Sequence, residues 1–242
     1  MTKILGHRGF AGIYPENTML AFRKAYESGC DGIELDVQTT KDYEVVIIHD
    51  EDIQRTTDGI GMIKDYTLKE LRQFNAGVHY QEGNEFHPIP TLKEYMEWAC
   101  HKDILTNIEL KNSVYYYNNL ENDVLNLIRE FQLEGKILLS SFNHASILKC
   151  KQLNSKIPVG FLIDGCIGNA GVYARKMGVE CMHPYFAALT GEEIQICKEQ
   201  KIRINTWTVN EEEDMKRLVS AGVDMIITDF PDRGKKVVSE FS

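Results

Sequence analysis

Cysteine is sparse and scattered in this 242-residue chain: Cys30, Cys100, Cys150, Cys166, Cys181 and Cys197 include no CxxC pair. That spacing excludes a disulfide miniprotein and argues against a thiolate zinc site, leaving free thiols used as small buried hydrophobes. Long apolar runs are also missing, and none approaches the ~20 residues of a membrane-spanning helix. Positive charge is in deficit, 27 Lys and Arg against 36 Asp and Glu, so the formal net charge is −9. A protein living on nucleic acid needs a basic surface, and that class is set aside. A composition 43% hydrophobic and 26% charged excludes a disordered chain. A strand-like run as early as Lys3–Gly6 leaves no room for a signal peptide before it, so the expectation is a cytoplasmic protein without stable membrane insertion.

What is present is a rhythm of short apolar runs, each followed by an amphipathic stretch. Strands are predicted at Lys3–Gly6, Gly32–Val37, Leu105–Leu110, Ile137–Ser140, Val159–Ile163, Val179–Met182, Arg203–Thr208 and Met225–Thr228. Helices are predicted to begin near Asn17, Thr91, Leu120, His144, Asn169, Gly191, Glu211 and Pro231. Thr91 with Glu94, Thr190 with Glu193, and Asn210 with Glu213 have capping-box spacing or close to it. Met19, Phe22 and Tyr26 form a core-facing stripe on the first helix, which Gly29 stops. Eight strand–helix units in about 250 residues predict an α/β fold of the TIM type, a closed (β/α)8 barrel. A doubly wound open sheet is the alternative, but His7-Arg8-Gly9-Phe10 is not its Gly-rich phosphate loop.

Two segments break the rhythm. Val45–His49 follows the second strand too closely for a parallel crossover, so it should return antiparallel and bring His49 near Asp36. Residues 51–90 hold Gly59, Gly61, Gly77, Gly83, Pro88 and Pro90 around one short helix capped at Thr67. They are too few for a second domain and read as an insertion over the C-terminal mouth of a single domain spanning 1–242.

Catalytic residues of such barrels sit at strand C-termini. Those positions carry His7-Arg8, Glu34 and Asp36, Glu109 and Lys111, and His49-Asp50. A charge directed into a barrel must be paired or metal-bound. Glu34 and Asp36 could make structural ion pairs with Arg8 and Lys111, and either histidine alone could be a hydrogen-bonded structural residue. Three carboxylates at one rim, however, repel strongly without a cation, and oxygen-only ligands favour Mg²⁺ or Ca²⁺. His183, ending a predicted strand before Pro184, is a further candidate for the pocket. His79, His87, His101 and His144 are read as surface residues.

The ordered set His7-Arg8-Gly9, Pro15-Glu16-Asn17-Thr18, Gly32-Ile33-Glu34-Leu35-Asp36-Val37 and His49-Asp50 resembles the glycerophosphodiester phosphodiesterases. The resemblance continues through Asn107-Ile108-Glu109-Leu110-Lys111, Ser141-Phe142, Trp207-Thr208-Val209-Asn210 and Thr228-Asp229-Phe230-Pro231, and so spans nearly the whole chain. It implies a TIM-type barrel that hydrolyses small glycerophosphodiesters to sn-glycerol 3-phosphate and an alcohol. By the same resemblance Glu34, Asp36 and Glu109 would bind the metal, His7 and His49 would be the acid/base pair, and Arg8 and Lys111 would hold phosphate. Metal and guanidinium suit the charge that builds on the phosphate oxygens, and two histidines suit the two proton transfers. Trp207 and Phe186 would pack on the glycerol carbons, or are rim aromatics. Glu16 and Asn17 would cap the first helix or order the site, and Asp50 would orient His49 or cap a turn. A lysophospholipase D using the same site is the alternative, for which Phe74, Val78, Tyr80 and Phe86 would supply an apolar rim. A non-catalytic binding barrel conflicts with the full set of acids, bases and ligands. A homo-oligomer is compatible with the sequence.

Overall fold

Alternation along each strand, one residue toward the barrel axis and the next toward the helices, builds the architecture. The computed structural model describes residues 1–80, 85–165 and 167–241; Gly83 and Cys166 lie outside them. Its strands are β1 (Lys3–Gly6), β2 (Gly32–Thr39), β3 (Val45–Ile47), β4 (Leu105–Leu110), β5 (Ile137–Ser141), β6 (Val159–Ile163), β7 (Cys181–Pro184), β8 (Arg203–Thr206) and β9 (Met225–Thr228). All but β3 run parallel, and β1 pairs with both β2 and β9, closing eight strands into a barrel. The helices are α1 (Met19–Glu27), α2 (Leu68–Leu71), α3 (Leu92–Ala99), α4 (Leu120–Glu130), α5 (His144–Leu153), α6 (Ala170–Met177), α7 (Gly191–Glu199), α8 (Glu212–Ala221) and α9 (Pro231–Ser239). Outward residues such as Ile33, Leu35, Ile108, Leu139 and Phe161 join Phe22, Tyr95 and Ile128 in the main core. Inward, Leu5, Leu138, Cys181, Met225 and Ile227 form a separate small cluster.

The predicted return strand is there. β3 takes the edge of β2 that β1 leaves after Gly6, pairing Val37 with Ile47 and Thr39 with Val45. The Ile48 N–H then donates to the Asp36 carbonyl at 3.0 Å, which sets His49 beside Asp36. Val45 and Ile47 face the main core, whereas Val46 and Ile48 pack with Ile53, Ile63, Leu71 and Ile89 of the 51–90 segment. The insertion therefore has a small core of its own, with α2 held by the Thr67–Glu70 capping box.

Several boundaries and caps differ from expectation for local reasons. β7 starts at Cys181, not Val179, because the Val179 N–H bonds to Ala174 and finishes the α6 terminus at Gly178. β8 stops at Thr206, and Trp207 makes only an isolated bridge to Tyr185. Thr18, rather than Glu16 or Asn17, caps α1. On that helix Phe22 is buried and Met19 half-buried, but Tyr26 is exposed, edge-on to Trp98. The Thr91–Glu94 box is complete. The Thr190 box is half-made, since Glu193 turns its carboxylate to the Asn169 and Ala170 N–H groups at the start of α6. Asn210 caps nothing; Glu211 is the N-cap of α8 without a side-chain bond. His144 is not a surface residue but stacks on Phe161 at 4.0 Å. The five described cysteines are free, four of them buried. Among the described residues no helix is long and apolar enough to cross a membrane.

Candidate active site

The C-terminal rim gathers its residues because inward positions recur every second residue. Glu34 and Asp36 share the axial face of β2, and Glu109 and Lys111 share that of β4 and its extension. After β1 the chain turns sharply, with Arg8 at φ 51° and Gly9 at φ 88°. Left-handed backbone is costly for arginine, and here bonds on every side hold it. The Arg8 N–H donates to Glu34 at 3.0 Å, its guanidinium donates to Glu16 at 2.8 Å, and its Nε lies 3.3 Å from Asp36. Asn17, also left-handed at φ 55°, donates its amide to Asp36 at 2.9 Å. Glu16 and Asn17 thus bond within the charged cluster and do not cap the helix.

Glu34, Asp36 and Glu109 are buried and each offers an oxygen within 4.8 Å of the other two. Burial, then the charges of Asp36 and Glu109, push the Glu34 carboxyl well above its ordinary range. Burial also pushes Glu109 up to about 7 against the pull of Lys111. For Asp36 burial acts upward too, but Arg8, His49 and Lys111 outweigh it and hold this carboxyl below the usual range. Asp36 Oδ1 is buried without a hydrogen-bond partner. Three converging carboxylates, two strained toward protonation and one with an unused buried oxygen, fit a hard divalent cation.

Each histidine is buttressed in the same way. His7 Nδ1 lies 2.7 Å from Asp229, whose other oxygen accepts from the Asn210 amide at 2.7 Å. His49 Nδ1 lies 2.6 Å from Asp50, whose other oxygen accepts from Arg55 Nε. An ionised carboxylate can only accept, so both rings carry their proton on Nδ1 and present Nε2 to the site. His49 Nε2 is 3.1 Å from Lys111 Nζ, which also donates to Glu109 at 3.0 Å. Burial lowers the pKa of His49; Arg8 and Lys111 add to this, Asp36 opposes it, and the net direction is down. Arg55 clamps Glu16 with two bonds of 2.7 and 2.8 Å, tying the insertion to the β1–α1 loop.

These groups surround a cavity of about 70 Å³ bordered by His7, Arg8, Glu34, His49, Glu109, Phe142 and Trp207. Trp207 stands edge-on to Phe142 at 5.6 Å. Two sequence candidates lie elsewhere. Phe186 packs on Tyr185 and the main core, and His183 is fully buried beneath the cavity rather than lining it. Asn205 donates to His183 Nε2 at 3.0 Å, and burial, with some help from Arg203, lowers that ring's pKa to about 3. Three residues that bond to the site are not marked as site residues by the sequence. Asp229 directly follows β9, a position the strand-end rule selects; Asn210 is masked by a helix-cap spacing; Arg55 sits in the insertion, where no periodicity marks it.

Comparison with known proteins agrees with this geometry. The Glycerophosphoryl diester phosphodiesterase family matches over residues 7–233. A glycerophosphodiester phosphodiesterase of Bacillus altitudinis is 42% identical over 243 residues, 99% of each chain. One from Caldanaerobacter subterraneus is 40% identical over 231 residues, 96% of this chain and 95% of the relative. The structure of an Oleispira antarctica phosphodiesterase in complex with the product sn-glycerol-3-phosphate superimposes with TM-score 0.88 at 25% identity, covering 99% of this chain and 97% of that one. With the family match running from His7 into the first turn of α9, this chain belongs to the glycerophosphoryl diester phosphodiesterase family.

Proposed function

We propose that the chain hydrolyses small glycerophosphodiesters to sn-glycerol 3-phosphate and an alcohol, using a divalent cation and a histidine pair. The observation that carries this is the convergence of three buried carboxylates and two carboxylate-buttressed histidines on one small cavity. Glu34, Asp36 and Glu109 would hold Mg²⁺ or Ca²⁺, which when bound supplies positive charge against the phosphate oxygens. Arg8 and Lys111 add charge-assisted donors for the same oxygens. His49, neutral and with Nε2 unprotonated, takes the proton of the nucleophile, and Asp50 steadies the imidazolium that results. His7 serves the leaving alkoxide from the other side, its ring fixed by Asp229. Trp207 and Phe142 form an apolar wall for the glycerol carbons.

A lysophospholipid substrate is less well supported. Phe74 is taken into the insertion's own core and Tyr80 packs against Tyr14, leaving only Val78 and Phe86 exposed from the expected apolar rim. The test is release of glycerol 3-phosphate from glycerophosphocholine, followed with a coupled dehydrogenase. Turnover is expected with Mg²⁺ or Ca²⁺ and none after chelation. Turnover that survives chelation would remove the carboxylates from their role, and a preference for lysophosphatidylcholine would replace the substrate.

A further inference from the structure

The opposite, N-terminal end of the barrel holds a second and larger cavity, about 240 Å³. Its floor is the inward apolar layer, Leu5, Leu138 and Met225. Its wall carries Lys3 from β1, Lys136 from the loop before β5 and Arg203 from β8, with no carboxylate among the described lining residues. Lys3 shares the axial face of β1 with Leu5, and Arg203 shares that of β8 with Asn205, so both side chains start toward the barrel axis. Lys136 is held in place by donating to the Lys102 carbonyl at 2.6 Å. Neither the Lys3 ammonium nor the Arg203 guanidinium has a hydrogen-bond or ion-pair partner among the described residues. Asn107, 2% exposed and with an Oδ1 that has no partner, stands between this cavity and the catalytic one and borders both.

Three cations around one concavity repel one another, and the carboxylates of the same rim, Asp31, Glu180 and Asp224, line none of its wall and are engaged with backbone N–H groups. Barrel bottoms ordinarily serve stability, and unpaired cations facing an apolar floor serve it poorly. We propose that this cavity is a binding site for a phosphate dianion, either free inorganic phosphate or a small phosphomonoester. Lys3, Lys136 and Arg203 hold the phosphate oxygens by charge-assisted hydrogen bonds, and Asn107 Oδ1 accepts from a hydroxyl of the ligand. Its three cations lie at the barrel end opposite the catalytic cluster, with Asn107 between the two cavities.

The experiment is a titration of the full chain, ¹³C-labelled at its methionine methyls, with inorganic phosphate at constant ionic strength. Met225 reports the lower cavity and is assigned through Met225→Leu. A saturable shift of its resonance is expected, weakened about 10-fold or more by Lys3→Gln and by Arg203→Gln. Lys111→Met, which alters only the mouth, should leave that shift unchanged. Repeating the titration with glycerol 3-phosphate separates the two sources: tighter binding identifies a phosphomonoester, equal or weaker binding identifies free phosphate. A Met225 resonance that stays still, or a shift that survives both lower-cavity substitutions, overturns the site. Lys3 is exposed, so Lys3→Gln keeps the test available even where Arg203→Gln disturbs the barrel.

Discussion

At the scale of single residues, the two histidines differ in what surrounds them, and the difference is measurable. His7→Ala and His49→Ala should each lower kcat by about 10²–10⁴-fold, the usual weight of a general acid or base. Asp229→Asn keeps the shape of its side chain but can offer its amide instead of an acceptor to His7. We expect kcat to fall with KM little changed, and an unaltered kcat would show that the buttress is not needed. His49 gives a pH signature. Its folded pKa is lowered, so the neutral base persists to below pH 6.5, and the acidic limb of kcat/KM should have its midpoint below that value. Lys111 contributes to the lowering, so Lys111→Met should move the limb toward higher pH. A limb that does not move assigns it to another group. The charged residues that converge at the mouth, Arg8, Glu34, Asp36, Glu109 and Lys111, were legible because a charge at an inward strand end must find a partner. Their supports were not, since Asp229, Asn210 and Arg55 reach the site by hydrogen bonds that no spacing encodes.

At the scale of elements, the apolar runs placed every strand to within two residues of its observed limits. What shifted the limits was backbone bonding, as where Val179 finishes a helix before it could begin a strand. The strand starts share a device that sequence patterning does not show. Asp31, Glu180 and Asp224 each accept the backbone N–H of a neighbouring strand's Ile4, Val159 or Ile204 at 2.8 to 3.0 Å. Carboxylates thereby satisfy amides that would otherwise be left over at the barrel's lower rim. Gly160 on β6 illustrates packing between strands. A Cβ there would lie 2.4 Å from His183 Nε2, the atom that accepts from Asn205. Gly160→Ala should therefore cost about 1–3 kcal/mol, read by urea denaturation, through overpacking and a displaced ring. A stability equal to that of the parent would mean that the His183 layer has room to move.

At the scale of the whole molecule, the excess of acid is partly a property of the site. Burial pushes the Glu109 carboxyl up to about 7 from its ordinary 4.5, and Glu34 is pushed in the same direction. For a raised carboxyl the stabilising contribution is complete below the unfolded pKa and is lost as pH rises through the folded one. The metal-free protein should therefore lose this contribution between about pH 4.5 and 7, while a bound divalent cation offsets the loss. The Tm difference between cation-loaded and chelated protein should widen across that window, and a difference independent of pH would place the cation elsewhere.

The two buttressed histidines also differ in how far apart along the chain their partners lie. His49 and Asp50 are adjacent, and the β2–β3 hairpin that carries them is local, whereas His7 and Asp229 are separated by 222 positions. Local contacts form early and long-range parallel pairing forms late, because loop-closure entropy must be met before distant strands gain from meeting. The His49 half of the site can therefore assemble in a partly folded chain, but the His7 half exists only once β9 has docked on β1. Regained activity on refolding should then report the last step, closure of the sheet, and should lag behind the return of helical signal.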